Sequence, residues 1–192
     1  MCGILFYLDK KKNISKDLEK KLNKTSKEII HRGPDFNKSI VKKNLYFFHS
    51  RLIIQDINKR SHQPMIKKYK TDNFLLLYNG EIYNFNKIKK KISRKIKFQT
   101  SSDTEVLLNN FIINNKNPNF ISDFEGMFAF LIYDERKNQV TFGRDFFGQK
   151  PLYFYEDDKI IIISSEIKPI INLVNKAKRK LDQNKLKDYF FE

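Results

Sequence analysis

The sequence predicts an α+β domain in which sheets are covered by helices. Short apolar runs of strand length recur along the chain, among them residues 4–8, 74–78, 127–133 and 160–164. Apolar residues at helical spacing mark other stretches, as in Ile14, Leu18, Leu22 and Ile29. After the opening strand the order runs helix, many strands, helix, many strands, helix, and that alternation implies helices packed on sheets.

Residues 4–8 form a compact apolar run suited to a buried strand. A helix is expected over 15–30, with Ser15 as N-cap and lysines on its outer face, ending before His31-Arg32-Gly33-Pro34-Asp35. Residues 45–49 and 52–54 read as two strands joined through Ser50 and Arg51, followed by a polar loop over 58–64. The apolar run 74–78 stops at Asn79-Gly80-Glu81, and Asn-Gly is a strong hairpin-turn signal. A short basic helix is expected over 84–92. A second helix over 105–113 follows the capping residues Thr100-Ser101-Ser102-Asp103. Residues 127–133 are apolar throughout, as in a strand covered on both faces. Strands over 140–144, 152–155 and 160–164 complete a meander, and helices over 166–174 and 184–191 close the chain. The phenylalanines and tyrosines of the later strands read as core.

Composition narrows the class. The 192 residues fit one sizeable domain with a real core, and 14% aromatic and 40% hydrophobic content supports a globular fold. A single cysteine excludes an intramolecular disulfide framework. No apolar stretch approaches the roughly 18 residues of a membrane span. Residues 2–8 run directly into Asp9-Lys10-Lys11-Lys12 and lack the pattern of a signal peptide. The expected setting is soluble, reducing and cytoplasmic, with no membrane partner. The net charge of +16 raises nucleic-acid binding as a function. Its densest cluster, over residues 87–97, comes without zinc-ligand spacing, an RNA-binding signature or an arginine-rich arm. Solvated lysine faces account for the charge, and nucleic acid is not an expected partner.

Chemistry concentrates at the beginning of the chain. Cys2 reads as a small apolar residue opening a strand, and equally as a nucleophile. Removal of Met1 would place a thiol and a free α-amino group on one Cα, and the amine is a base for the thiol. Arg51 reads as a salt-bridge partner of Asp35 or Asp56, or as a bidentate clamp for a ligand carboxylate. Asn79-Gly80 reads as a turn, or as two oxyanion donors. Asp103 reads as a helix cap, or as an acceptor for a ligand ammonium. His31, His49 and His62 have no metal-ligand spacing and read as structural or loop residues, so no metal site is expected. Taken together, these groups describe a site that holds a free amino acid by its backbone charges while a thiol attacks its side-chain carbonyl, and the substrate this suggests is glutamine.

Met1-Cys2-Gly3-Ile4, His31-Arg32-Gly33-Pro34-Asp35, residues 51–56, Asn79-Gly80-Glu81-Ile82-Tyr83-Asn84 and Ser102-Asp103-Thr104-Glu105-Val106 resemble the successive motifs of class II glutamine amidotransferase domains. Residues 124–130, Arg144-Asp145 with Gly148 to Tyr153, and Ser165-Glu166-Ile167-Lys168 narrow the resemblance to the glutamine-hydrolysing asparagine synthetase type. The resemblance implies an N-terminal nucleophile hydrolase fold, a four-layer αββα sandwich of two antiparallel sheets between helical layers. It implies Cys2 as nucleophile and Asn79 with Gly80 as the oxyanion hole. Arg51 is then expected to bind the glutamine α-carboxylate, Glu81 and Asp103 its α-ammonium, and backbone groups around Leu52 and Ile54 are expected to line the pocket. Arg144, Asp145 and Glu166 are expected to be packing and interface residues.

Two positions depart from that pattern, Ile53 where a small polar residue is common and Gln149 where a β-branched apolar residue is usual. The Ser-Gly-Gly phosphate loop of the synthetase domain does not occur in the sequence. The expected organisation is therefore a glutaminase domain over 1–175, with 176–192 beginning a linker to an absent synthetase domain. The implied partners are L-glutamine and an ATP-pyrophosphatase synthetase domain or subunit, and a homodimer is one assembly open to the chain. No cofactor is expected in this chain, with ATP and Mg belonging to the absent domain. A glutamine-binding remnant without productive turnover, or an amidotransferase for a non-aspartate acceptor, are the alternatives.

Overall fold

The computed structural model describes residues 1–114 and 117–175. Strands β1 (Gly3–Asp9), β2 (Phe36–Lys42), β3 (Leu45–Arg51), β8 (Tyr153–Glu156) and β9 (Ile160–Ser164) form one antiparallel sheet in the order β2-β3-β1-β9-β8. A second antiparallel sheet has the order β4-β5-β6-β7, from β4 (Met65–Tyr69), β5 (Asp72–Ile82), β6 (Gly126–Asp134) and β7 (Gln139–Arg144).

Strand alternation explains how the layers stack. Ile4 and Phe6 of β1 point to the second sheet and meet Leu75, Leu77 and Leu131. Leu5 and Tyr7 point the other way, to Leu22 of helix α1 (Lys16–Ser26) and to Ile170 and Leu173 of α4 (Ile167–Leu173). On the far side, Phe74, Leu76 and Phe130 meet Ile88 and Ile92 of α2 (Phe85–Ile92) and Val106 and Phe111 of α3 (Asp103–Ile113). The result is the expected α+β sandwich with helical layers outside two antiparallel sheets. All seven residues of β3 are buried, as a strand covered on both faces requires.

Several elements differ from the sequence expectation. The first helix ends at Ser26 and continues as a 3-10 turn over Lys27–Arg32. The Ser26 hydroxyl takes the Leu22 carbonyl at 2.8 Å and the Tyr46 hydroxyl at 2.7 Å, so the last turn is tied down where the chain must tighten. Residues 52–54 are not a strand, because side chains capture their amides: Leu52 N–H donates to Cys2 Sγ and Ile53 N–H to Asp35 Oδ2 at 2.7 Å. Asn79-Gly80 is not a turn. β5 runs straight through it, with Asn79 opposite Ala129 and Gly80 opposite Phe128. Glycine serves close approach here: a Cβ at 80 would lie 2.6 Å from Phe128 Cα.

Strands β2 and β4 escaped the pattern reading because they are edge strands, and lysines and polar residues interrupt their apolar alternation. The late aromatic residues are only partly core. Phe130 and Tyr133 are buried, whereas Tyr153 and Phe154 are exposed, and Phe154 stacks on Phe142 at the surface. The expected helix over 184–191 lies outside the described residues. Among the described residues, no helix is long and apolar enough to cross a membrane.

Candidate active site

Gly3 pairs with Ser50 at the end of the β1–β3 ladder, so Cys2 sits beside the point where β3 gives out. Leu52 N–H donates to Cys2 Sγ at 3.4 Å, and the thiol donates back to Leu52 O at 3.7 Å. Arg32 Nε donates to the Cys2 carbonyl at 3.0 Å. The same guanidinium is held by Glu166 at 3.2 Å, which fixes the first residues of β1. Glu166 thus packs against the N-terminal segment, and His31 joins it at 2.9 Å. Burial pushes the Cys2 thiol above its ordinary value. The Leu52 N–H, the charge of the chain terminus and Arg51 act against that rise, and Asp103 adds to it. The group is therefore a protonated thiol near neutral pH, and a nucleophilic attack needs a base.

Arg51 does not form the salt bridge that the sequence allowed. Its Nη1 donates to Asn58 O at 3.3 Å and to His62 Nδ1 at 2.8 Å, and its Nη2 to Gln55 O at 3.1 Å and Asp56 O at 2.5 Å. Four acceptors from one loop thus hold the guanidinium in a single orientation, and the residue is only 5% exposed. A guanidinium has no acceptor, so His62 must present a lone pair and is neutral. Burial and the neighbouring cations lower its pKa in the same sense.

Asn79 is buried, and its Nδ2 has no hydrogen-bond partner. The strand around it is fixed from an unexpected direction. Gln63 pairs with the backbone of Tyr78 through both side-chain atoms, Oε1 accepting from the N–H at 2.6 Å and Nε2 donating to the carbonyl at 3.2 Å. The Tyr78 hydroxyl donates to Asp103 Oδ2 at 2.7 Å, and Ile82 N–H reaches the same oxygen at 3.0 Å. Asp103 opens α3, yet its carboxylate is aimed at β5. Burial raises its pKa, and the Tyr78, Ile82 and Thr104 donors oppose the rise. The Tyr78 phenol lies well above its ordinary value, through burial and the Asp103 charge. Glu81 Oε1 accepts from Gln55 Nε2 at 3.1 Å.

One pocket brings together all eight residues expected from the sequence: Cys2, Arg51, Leu52, Ile54, Asn79, Gly80, Glu81 and Asp103. Ile54 is 69% exposed at its rim. Gln55, Gln63, Tyr78, Met127 and Lys150 also line it and were not singled out by the sequence reading. The partnerships of Gln55, Gln63 and Tyr78 reach across 15 to 26 positions, which no local pattern reports. None of the three histidines bonds the thiol. His49 is fully buried with Nε2 on the Tyr78 carbonyl at 2.9 Å, and burial lowers its pKa to about 4. Among the described residues, no group of three or more His, Cys, Asp or Glu side chains is placed to hold a metal ion.

Two antiparallel sheets between helices, with a cysteine at the start of a central strand and a polar pocket beside it, define an N-terminal nucleophile hydrolase fold. The chain belongs to the glutamine amidotransferase domain family, which it matches over residues 1–192. It is 37% identical over 172 residues to asparagine synthetase B (glutamine-hydrolysing) of Escherichia coli K12, covering 89% of this chain and 30% of that protein. A putative glutamine-hydrolysing asparagine synthetase of Methanocaldococcus jannaschii is 34% identical over 208 residues, covering 99% of this chain and 39% of the relative. Among solved structures, the glutamine phosphoribosylpyrophosphate amidotransferase of B. subtilis, in complex with ADP and GMP, superposes with a TM-score of 0.72 at 19% identity. That likeness covers 88% of this chain and 43% of the other, and it carries the fold alone. The chain thus spans between 30% and 39% of the length of these asparagine synthetase relatives.

Proposed function

We propose that this chain is the glutaminase domain of an asparagine synthetase-type enzyme and hydrolyses L-glutamine through a thioester on Cys2. The observation that carries the reading is Asn79 Nδ2, a buried donor without a partner in the same pocket as the Cys2 thiol. A buried unpaired donor is costly unless a ligand satisfies it. Here the ligand atom is the γ-carbonyl oxygen of glutamine.

In this reading Met1, which is 52% exposed, is removed, and the α-amino group of Cys2 becomes free. Arg51 receives the α-carboxylate of glutamine. Glu81 and Asp103 receive the α-ammonium, and the backbone around Leu52 and Ile54 completes the wall. The thiol attacks the γ-carbonyl carbon while its proton passes to the α-amino group. The resulting oxyanion is held by Asn79 Nδ2 and the Gly80 N–H. The C–N bond then breaks, and the amine returns the proton to the departing nitrogen, which leaves as ammonia. Water attacks the thioester in the same manner, the C–S bond breaks, and glutamate is released with the thiol restored.

The ammonia passes to ATP-activated aspartate on an ATP-pyrophosphatase synthetase domain or subunit, whose ATP and Mg belong to that partner. The names of the relatives support the assignment. Residues 1–175 are the glutaminase unit, 176–192 begin the linker, and the setting is cytoplasmic. Incubating the purified, N-terminally processed protein with glutamine should yield glutamate, and Cys2→Ala should abolish it. Absence of glutamate from the processed protein, with and without a synthetase partner, contradicts the reading.

A further inference from the structure

A second donor in the pocket also lacks a partner. Lys150 is 6% exposed and lines the pocket together with Cys2 and Asn79. Its backbone is fixed, because its N–H donates to Asp145 Oδ2 at 3.1 Å and Asp145 N–H in turn bonds the Phe128 carbonyl at 2.8 Å. Its ammonium has no hydrogen bond or ion pair among the described residues. The carboxylates nearby are engaged elsewhere. Asp145 is taken by the N–H groups of Phe128, Gln149 and Lys150, Asp103 by Tyr78 and Ile82, and Glu81 by Gln55.

A pocket-lining cation without a counter-charge among the described residues is free to pair with an anion bound from outside the fold. The substrate amide is neutral and gains little from a cation. The tetrahedral oxyanion and the γ-carboxylate of glutamate are negative and gain much more. We propose that Lys150 pairs with the negative charge that hydrolysis creates in the pocket, first on the oxyanion and then on the product γ-carboxylate. The inference rests on the glutaminase reading above and adds to it a residue that distinguishes product from substrate. An interaction stronger in the transition state than in the bound substrate raises kcat and leaves KM nearly unchanged.

The test compares Lys150→Met and Lys150→Arg with the parent, in kinetics on the processed enzyme and in calorimetric binding of glutamate and glutamine to processed Cys2→Ala protein. Lys150→Met should weaken glutamate about tenfold, change glutamine affinity less than about twofold, and lower kcat about tenfold. Lys150→Arg should recover most of each loss. Equal weakening of both ligands, or unchanged glutamate affinity, overturns the proposal. Lys150→Gln takes the place of Lys150→Met if the latter does not fold. A parent enzyme that releases no glutamate with and without a synthetase partner refutes the glutaminase reading, whereas an active parent with an indifferent Lys150→Met refutes this inference alone.

Discussion

Cys2 Sγ and the Leu52 peptide unit hold each other from both sides, the Leu52 N–H donating to sulfur at 3.4 Å and the thiol donating to the Leu52 carbonyl at 3.7 Å. The pair joins residues 50 positions apart. Because the Leu52 amide is given to sulfur rather than to a strand, β3 ends at Arg51 and the chain turns away. That turn wraps residues 55–62 around the Arg51 guanidinium, so the thiol and the proposed carboxylate-binding wall are set by one local event.

The burial that raises the Cys2 pKa predicts a slow thiol. Because burial favours the neutral form, the folded value lies above the unfolded one, near 8.5. The corresponding stability is present below the unfolded value and is lost as pH rises through the folded value. Iodoacetamide should react with the native protein at pH 7 more slowly than with the denatured chain, and the native rate should climb only in alkaline solution. A native rate profile with a midpoint below the ordinary thiol value contradicts this.

Asn79→Ala removes a donor that has no partner in the ligand-free fold. Its main effect should therefore fall on kcat, a loss of about 10²- to 10³-fold, equivalent to about 2.7 to 4 kcal/mol of transition-state stabilisation. Steady-state kinetics and thermal melting on the same sample separate the two effects. A large melting shift with kcat intact would identify a structural residue.

Arg51→Lys cannot reproduce four directed hydrogen bonds with a single ammonium. Orphaned carbonyls in the 55–58 segment should cost about 3 kcal/mol, or roughly 6 to 12 °C in melting temperature for a chain of this size. KM for glutamine should rise at least about tenfold. Retention of both values would remove Arg51 from the proposed site.

Tyr78→Phe deletes a donor that stabilises the Asp103 carboxylate. With burial less opposed, the Asp103 pKa rises further. Since the ionised form binds an ammonium, glutamine affinity in the variant should begin to fail at a higher pH than in the parent as acid is added. Isothermal titration across pH checks the sign, and a midpoint displaced to lower pH refutes the link.

The helix–strand order and the candidates Cys2, Arg51, Asn79, Gly80 and Asp103 were readable from the sequence because each is punctuated locally, whereas Leu52, Ile54 and Glu81 entered the proposed site only through the resemblance to glutamine amidotransferase domains. Ser15 caps a helix, Asn79-Gly80 interrupts an apolar run, and Cys2 precedes one. What stayed hidden is long-range. The turn chemistry of Asn79-Gly80 is overridden by pairing with Ala129 and Phe128 across β6. Edge strands β2 and β4 carry too much charge for a pattern reading to detect. Gln63, Tyr78 and Lys150 matter through neighbours that only folding supplies.

The central claim is that thiol and amine act together at a processed terminus. Glutamate release from the processed protein, compared with a form that retains Met1 or carries a short N-terminal extension, tests it most directly because Cys2 is present in both. The account predicts turnover in the processed protein and loss of at least about 10²-fold in the blocked form, the range of one positioned base. Equal turnover in the two forms would contradict it.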